Sequence, residues 1–332
     1  MVSLRRWHVG LFGGALLAFG LGVTFVAESA NTSPARATAS VVDGRLRVSG
    51  TTGDVDLQTA QPVGAVALAS DGGELALTTG TPIEEAIGGV RGQVAVVDSA
   101  DGSVLAQTEF DRAVVTGVDF SRDGRRVAFV KDYQELWVME ADGSELRKVA
   151  DAGALAPVLG STLFDPAFSP SGQAVYFGLV EQTFFGEDDK VDNIWKVSMD
   201  GQASRVTHLS APGGLQSWTV VRGPLPVGHG EVLFTTGRST ESLWQVARVG
   251  PGGRTTALGP VPSMTKAIGV SSREITFETL DNRTAAYDLY SMSLDDGRLG
   301  WDRWCAAGCR TIDRGVDAGA VSFPVAGGDG SL

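Results

Sequence analysis

The chain has 332 residues, 43% of them hydrophobic and 20% charged, with 44 glycines and a formal net charge of −12. That balance suits a globular protein with a sizeable core and excludes a disordered one, and the length fits one large all-β unit as readily as two ordinary domains. The acidity, with no basic run longer than a pair such as Arg125-Arg126, excludes a nucleic-acid face, because phosphate binding needs clustered cations.

Arg5 and Arg6 precede an uncharged stretch from Val9 to Val26, and the next acidic residue is Glu28. Residues 1–27 therefore read as a charged leader and a hydrophobic segment. As a helix the segment reaches about 27 Å, near the lower limit for a membrane span and longer than the usual signal-peptide core. A retained anchor and a cleaved signal peptide both fit, with small-x-small cleavage patterns at Ala27-Glu28-Ser29 and Ala37-Thr38-Ala39. Positive charge ahead of the segment keeps that end in the cytoplasm and sends the rest outward. The expected location is extracytoplasmic, anchored in the cytoplasmic membrane or secreted. Arginine far outnumbers the five lysines, a bias of high-GC (actinobacterial-type) coding. Residues 28–40 have too little apolar content to pack and read as a linker.

From Gly64 a pattern repeats, and internal repeats decide fold class before any local reading does. One copy runs Val118-Asp119-Phe120-Ser121-Arg122-Asp123-Gly124 into Val127-Ala128-Phe129-Val130, then Leu136-Trp137-Val138-Met139 and Asp142-Gly143. A second runs Pro166-Ala167-Phe168-Ser169-Pro170-Ser171-Gly172 into Val175-Tyr176-Phe177, then Ile194-Trp195-Lys196-Val197 and Asp200-Gly201. The two Phe-Ser-x-x-Gly starts lie 48 residues apart. Weaker copies run from Leu68 to Gly102, from Glu231 to Val246 and from Glu274 to Met292, giving five units. Each predicts a four-stranded blade: Asp-Gly dipeptides make tight turns, and continuously apolar runs such as Val127 to Val130 are inner strands covered on both faces by neighbouring blades. Trp137, Trp195, Trp244 and Tyr290 recur at one blade position, where a large ring fills the wedge between diverging blades. A sixth blade is expected from Arg45 to Val48 and Asp54 to Leu57 together with a late strand at 319–323, closing the ring by pairing its two ends.

The run from Phe120 to Phe129, joined to Leu136 to Gly143, resembles the WD-like Pro-Asp repeat of TolB-type six-bladed β-propellers, and the likeness extends with decay over Gly64 to Gly297. The resemblance implies an all-β, six-bladed propeller over residues 41–326 with a short tail at 327–332. Only a linker precedes the first strands, so the separate N-terminal domain of TolB proteins is not expected. No Gly-x-Ser-x-Gly elbow or room for a hydrolase domain is present either.

Little in the sequence points to catalysis. Histidines occur only at positions 8, 208 and 229, too few and too scattered for a triad or a His-based metal site, and no cofactor or metal is expected. Glu187, Asp188, Asp189 and Asp192 lie in an insertion, Glu181 to Asn193, that lengthens a hairpin of the third unit, with Phe184 and Phe185 beside them. Their spacing does not match a calcium loop. An aromatic pair within an acidic hairpin is instead the expected partner-binding element. Cys305 and Cys309, the only cysteines, are expected to form a local disulfide outside the cytoplasm. The functional expectation is a non-catalytic binding or scaffold propeller of the bacterial cell envelope, contacting a protein or an envelope polymer. The alternatives are an enzyme, hydrolase or lyase, with a carboxylate/Arg site at the channel mouth, and a small-ligand sensor.

Overall fold

A computed structural model describes residues 38–305, apart from 43–44, 51–52, 70, 84–88, 109, 111, 158–159, 183–189, 211–217, 263–264, 271–273, 282–285 and 294–299. The fold is almost entirely antiparallel β. Strands β1 (Thr38–Val42), β2 (Arg45–Gly50) and β3 (Gly53–Leu57) form a three-stranded sheet. Five four-stranded units follow among the described residues. The first is β4 (Val63–Leu68), β5 (Glu74–Pro82), β6 (Val90–Asp98) and β7 (Val104–Gln107), and the second is β8 (Val114–Phe120), β9 (Arg126–Lys131), β10 (Glu135–Glu140) and β11 (Arg147–Asp151). A one-turn helix, α1 (Ala152–Leu155), whose N-terminus is capped by Asp151, leads to β12 (Leu163–Phe168), β13 (Ala174–Gln182), β14 (Lys190–Ser198) and β15 (Ala203–Arg205). The last two units are β16 (Thr219–Gly228), β17 (Glu231–Arg238), β18 (Leu243–Val249) and β19 (Thr255–Pro262), then β20 (Thr265–Val270), β21 (Glu274–Asp281), β22 (Ala286–Ser293) and β23 (Gly300–Cys305).

Within each unit the strands pair in chain order, and the first strands of successive units pack side by side: β4 on β8, β8 on β12, β12 on β16 and β16 on β20. The units are therefore blades arranged around a common axis that their first strands line. Short bridges tie neighbours together, from Val90 to Val115 and from Val191 to Thr219. Apolar cores lie between blades: Val130, Leu136, Phe168 and Phe177 share one, and Tyr176, Val221, Val232 and Phe234 share the next.

The repeat motif has a local cause. In the turn after β8, Ser121 accepts from the Arg126 N–H at 2.9 Å, and after β12 Ser169 accepts from the Ala174 N–H at 3.1 Å. The Asp-Gly turns form as expected, with Gly102, Gly124, Gly143 and Gly201 all at positive φ. Asp101, Asp123 and Asp142 bond the backbone N–H two residues on; the Ser103 N–H holds the Asp101 carboxyl below the usual carboxylate range, and the Ser121 and Ser144 hydroxyls, aided by backbone N–H groups, do so for Asp123 and Asp142.

Three expectations change. The apolar run Val127 to Val130 is the second strand of its blade, not the inner one; its two faces enter separate cores, Val127 and Phe129 on one side and Ala128 and Val130 on the other. The residues assigned to a linker end in a strand, since β1 begins at Thr38 and pairs with β2. Trp244 is buried as the wedge argument requires, whereas Trp137 and Trp195 are half-buried and turn their indole N–H groups to Glu135 (3.0 Å) and Glu181 (2.7 Å). Glu135 stays partly exposed with Lys131 and Lys148, whereas Glu181 is itself buried and paired with Arg205. The side chain of Tyr290, the strand at 319–323 and the segment 1–27 lie outside the described residues. Among the described residues no helix is long and apolar enough to cross a membrane.

One buried hydroxyl fastens the segment after β15 onto β14 of the same blade. Thr207 accepts from the Ile194 N–H at 2.8 Å and donates to Asn193 at 2.9 Å, the counterpart of Thr108 on Val94 in the first four-stranded blade. Thr207→Val keeps the shape but strands a buried N–H, so urea unfolding should show a loss of about 1–3 kcal/mol, with Thr207→Ser losing much less.

Candidate functional site

Each axial strand carries one residue more than its partner strand at nearly the same height. The ladder skips Gly64 in β4, Gly117 in β8, one residue of Asp165-Pro166 in β12, one of Gly223-Pro224 in β16, and Ile268 in β20. Bulges of this kind bend a strand and re-aim its side chains. The extra residue adopts left-handed backbone at Gly117 (φ 55°), Asp165 (φ 49°) and Gly223 (φ 52°). Asp165 thus stands where the blades on either side have glycine. Asp is among the few other residues that tolerate this conformation, and here it places a carboxylate on the axis.

Four charged side chains from four successive axial strands meet there. Asp119 of β8 accepts from the Phe168 N–H of β12 at 2.7 Å. Asp165 of β12 accepts from the Gly223 N–H of β16 at 3.0 Å and from the Lys266 ammonium of β20 at 3.2 Å. Arg222 of β16 lies 5.1 Å from the centre of the Phe164 ring, within cation–π range, and its charge acts on Asp165. The Phe164 ring in turn lies where a side chain on residue 178 would be, since a Cβ there would come within 2.1 Å of it. Glycine at 178 is what lets the ring sit beneath Arg222.

The two carboxyls are shifted in opposite directions. Burial pushes Asp119 up to about 7, against the pull of the Phe168 N–H and of Lys266. Burial also pushes on Asp165, but Lys266, Arg222 and the Gly223 N–H outweigh it and hold its carboxyl below the ordinary value.

The sequence-derived site fares differently. Phe184, Phe185, Glu187, Asp188 and Asp189 lie outside the described residues, as do Cys309 and the side chain of Cys305. Asp192 is described, and it is not part of an exposed acidic tip. The β13–β14 ladder runs on to Gln182 and Lys190, which places Asp192 inside β14, 3% exposed, where it accepts from the Val221 N–H of β16 at 3.3 Å. It joins two blades. Glu181, from the same stretch, is also buried and pairs with Arg205. Among the described residues no group of three or more His, Cys, Asp or Glu side chains is placed to hold a metal ion.

Asp119, Asp165, Arg222 and Lys266 were not singled out by sequence reasoning. A signal existed: each is a charge inside a short strand of otherwise apolar and small residues, and Asp119 stands where the next copy of the repeat has Ala167.

No protein-family model matches the chain, and no curated protein matches it in sequence. Solved structures do match in fold. TolB from Acinetobacter baumannii superposes at a TM-score of 0.54 with 17% identity over 85% of this chain, which spans only 63% of that protein. An oligogalacturonate lyase in complex with manganese gives 0.55 with 12% identity, covering 84% of this chain and 77% of that one. The β-propeller domain of Cps50 (Swd1) from Myceliophteria thermophila gives 0.55 with 13% identity, over 90% of each. The architecture is that of a TolB-like β-propeller, and at these identities the likeness is one of fold.

The axial titrations give a pH prediction. Between pH 3.8 and about 7 the folded chain holds the Asp119 proton that the unfolded chain has lost. This contribution to stability is complete below pH 3.8 and is lost as pH rises through about 7. Asp119→Asn keeps an acceptor for the Phe168 N–H without the charge. Thermal melts from pH 4 to 8 should show the variant gaining on the parent as pH rises, the difference levelling off above about 7. Asp165→Asn should instead be least stable relative to the parent at neutral pH, its deficit shrinking in acid as the parent's own carboxylate is protonated.

Proposed function

We propose that the chain is a non-catalytic binding propeller of a bacterial cell envelope, tethered or secreted through its N-terminal segment, that presents one ring face to a protein or an envelope polymer. The observation that carries this reading is the use made of the axial carboxylates. Asp119 and Asp165 are engaged by backbone N–H groups of the next blade, and Asp165 also by Lys266. Groups held in this way act as fasteners of a rigid ring, and a rigid ring is a platform for loops. The charge order of Arg5, Arg6 and the segment Val9 to Val26 supports placement outside the cytoplasm. On this reading the ring has six blades, the β1–β3 sheet being completed by a strand from the C-terminal residues. The hairpin tip with Phe184 and Phe185 is the proposed contact element, flanked by Glu187, Asp188 and Asp189, and Cys305 and Cys309 form the local disulfide.

Cross-linking in envelope membranes tests it, with the full-length chain compared to the Phe184→Ala/Phe185→Ala variant. Specific proteins or polymer enriched by the parent and lost from an equally stable double variant are the expected result. Equal capture by both sinks the loop assignment.

One observation favours a second reading, an enzyme acting at the axis. Asp119 is raised to about 7 with Lys266 near it, and a carboxyl poised near the working pH suits general acid–base chemistry. The fold is shared with an oligogalacturonate lyase. On that reading the parent cleaves an acidic oligosaccharide, and Asp119→Asn abolishes the cleavage while remaining folded.

A further inference from the structure

A cleft of about 610 Å3 lies between the β12–β15 and β16–β19 blades, at the end of the β13–β14 hairpin away from residues 183–189. Its lining runs from Pro226 on the axial strand β16 out to Ser204 on the outermost strand β15, so it crosses the blade radially. Tyr176, Lys196 and Ser204 are successive cross-strand partners on β13, β14 and β15. They form one polar row along the cleft wall. The Tyr176 ring packs into the inter-blade core with Val221, Val232 and Phe234, and the residue is only 7% exposed. Its hydroxyl is therefore the end that meets the cleft. That hydroxyl makes no hydrogen bond among the described residues, and burial alone pushes it up. A hydroxyl that opens onto a cleft without a protein partner is free to donate to, or accept from, a ligand or water.

Opposite this row stands His229, in the turn after β16. Three consecutive residues there have positive φ, Gly228, His229 and Gly230, which sets the imidazole on the cleft rim. Neither Lys196 nor His229 has an ion-pair partner among the described residues, whereas the one lining carboxylate, Glu231, faces Arg248 at 3.7 Å. In a chain of net charge −12, an ammonium group without an ion-pair partner, with an imidazole across the cleft from it, selects an anion. Hydroxyl and amide groups from Ser204 and Gln202 add donors and acceptors, and Pro226 offers an apolar face. The volume falls within the range of small-ligand sites.

We propose that this inter-blade cleft is a binding site for an acidic saccharide, its anionic group held by Lys196 and His229 and a ring hydroxyl by Tyr176. The site rests on the binding reading of the protein but not on the 183–189 hairpin, so the two fail separately.

Isothermal titration of the full-length chain tests it with two anionic probes, a tetrasaccharide of alternating glucuronate and N-acetylglucosamine and glucose 1-phosphate, against neutral chitotetraose. Binding of either anionic probe at least about tenfold tighter than the neutral one is expected, and whichever binds identifies the anion as carboxylate or phosphate. Lys196→Met should weaken it about tenfold and Tyr176→Phe about two- to tenfold, both with unchanged melting temperature, and Phe184→Ala/Phe185→Ala should bind like the parent. The proposal is overturned by equal affinity for neutral and anionic probes, by parent-like binding in both cleft variants, by loss of binding in the hairpin variant, or by no binding of either anionic probe at millimolar concentration.

Discussion

The innermost strand of a blade is an edge, and an edge strand has backbone N–H and C=O groups that no ladder satisfies. In this chain side chains from the preceding blade supply what the ladder cannot. Asp119 takes the Phe168 N–H, Asp165 the Gly223 N–H and Asp192 the Val221 N–H, while Thr235 donates to the Thr265 carbonyl in the following joint. Apolar packing between blades sets their separation, but these bonds fix their register. The same edge character explains why β16 accommodates Pro224 and Pro226: a proline without an N–H is tolerated where one side of the strand has no ladder to serve.

Because the joints are made by ionisable groups, the axis is both a fastener and an electrostatic object. Asp165 is matched by Lys266 and Arg222 and keeps its charge. Asp119 shares Lys266 only weakly and gives its charge up near neutrality. The stability contributions of two carboxyls on adjacent axial strands thus change with pH in opposite directions. The ring is best matched in its charges under mildly acidic conditions.

How much was legible in the sequence depended on whether a residue's partner lay nearby in the chain. Asp123 was readable as a turn former because what it bonds is two residues away, in the same motif. Asp119, only four residues earlier, was not, because its partner is Phe168 in the next blade, and nothing local distinguishes a carboxylate that will face the axis. The five units from Gly64 onward were legible for the same reason as Asp123, since Ser121 and Ser169 close their own hairpins. Asp192 was misplaced by composition: four carboxylates in six residues look like a solvated tip. The run Val191-Asp192-Asn193-Ile194 is buried throughout and belongs to a ladder whose neighbouring blade needed an acceptor. The inter-blade cleft was illegible as a site because Tyr176, Lys196 and His229 come from three separate strands and turns.

The Asp165–Lys266 pair joins β12 to β20 across the intervening β16, and its members are 101 residues apart in the chain. A contact of that span cannot form until the blade between is docked, since the closure entropy of so long a loop is not offset by anything local. The pair is therefore a late contact. Interactions absent from the folding transition state leave the folding rate nearly untouched and slow unfolding. The clamp governs how long the docked blades stay together once they have assembled.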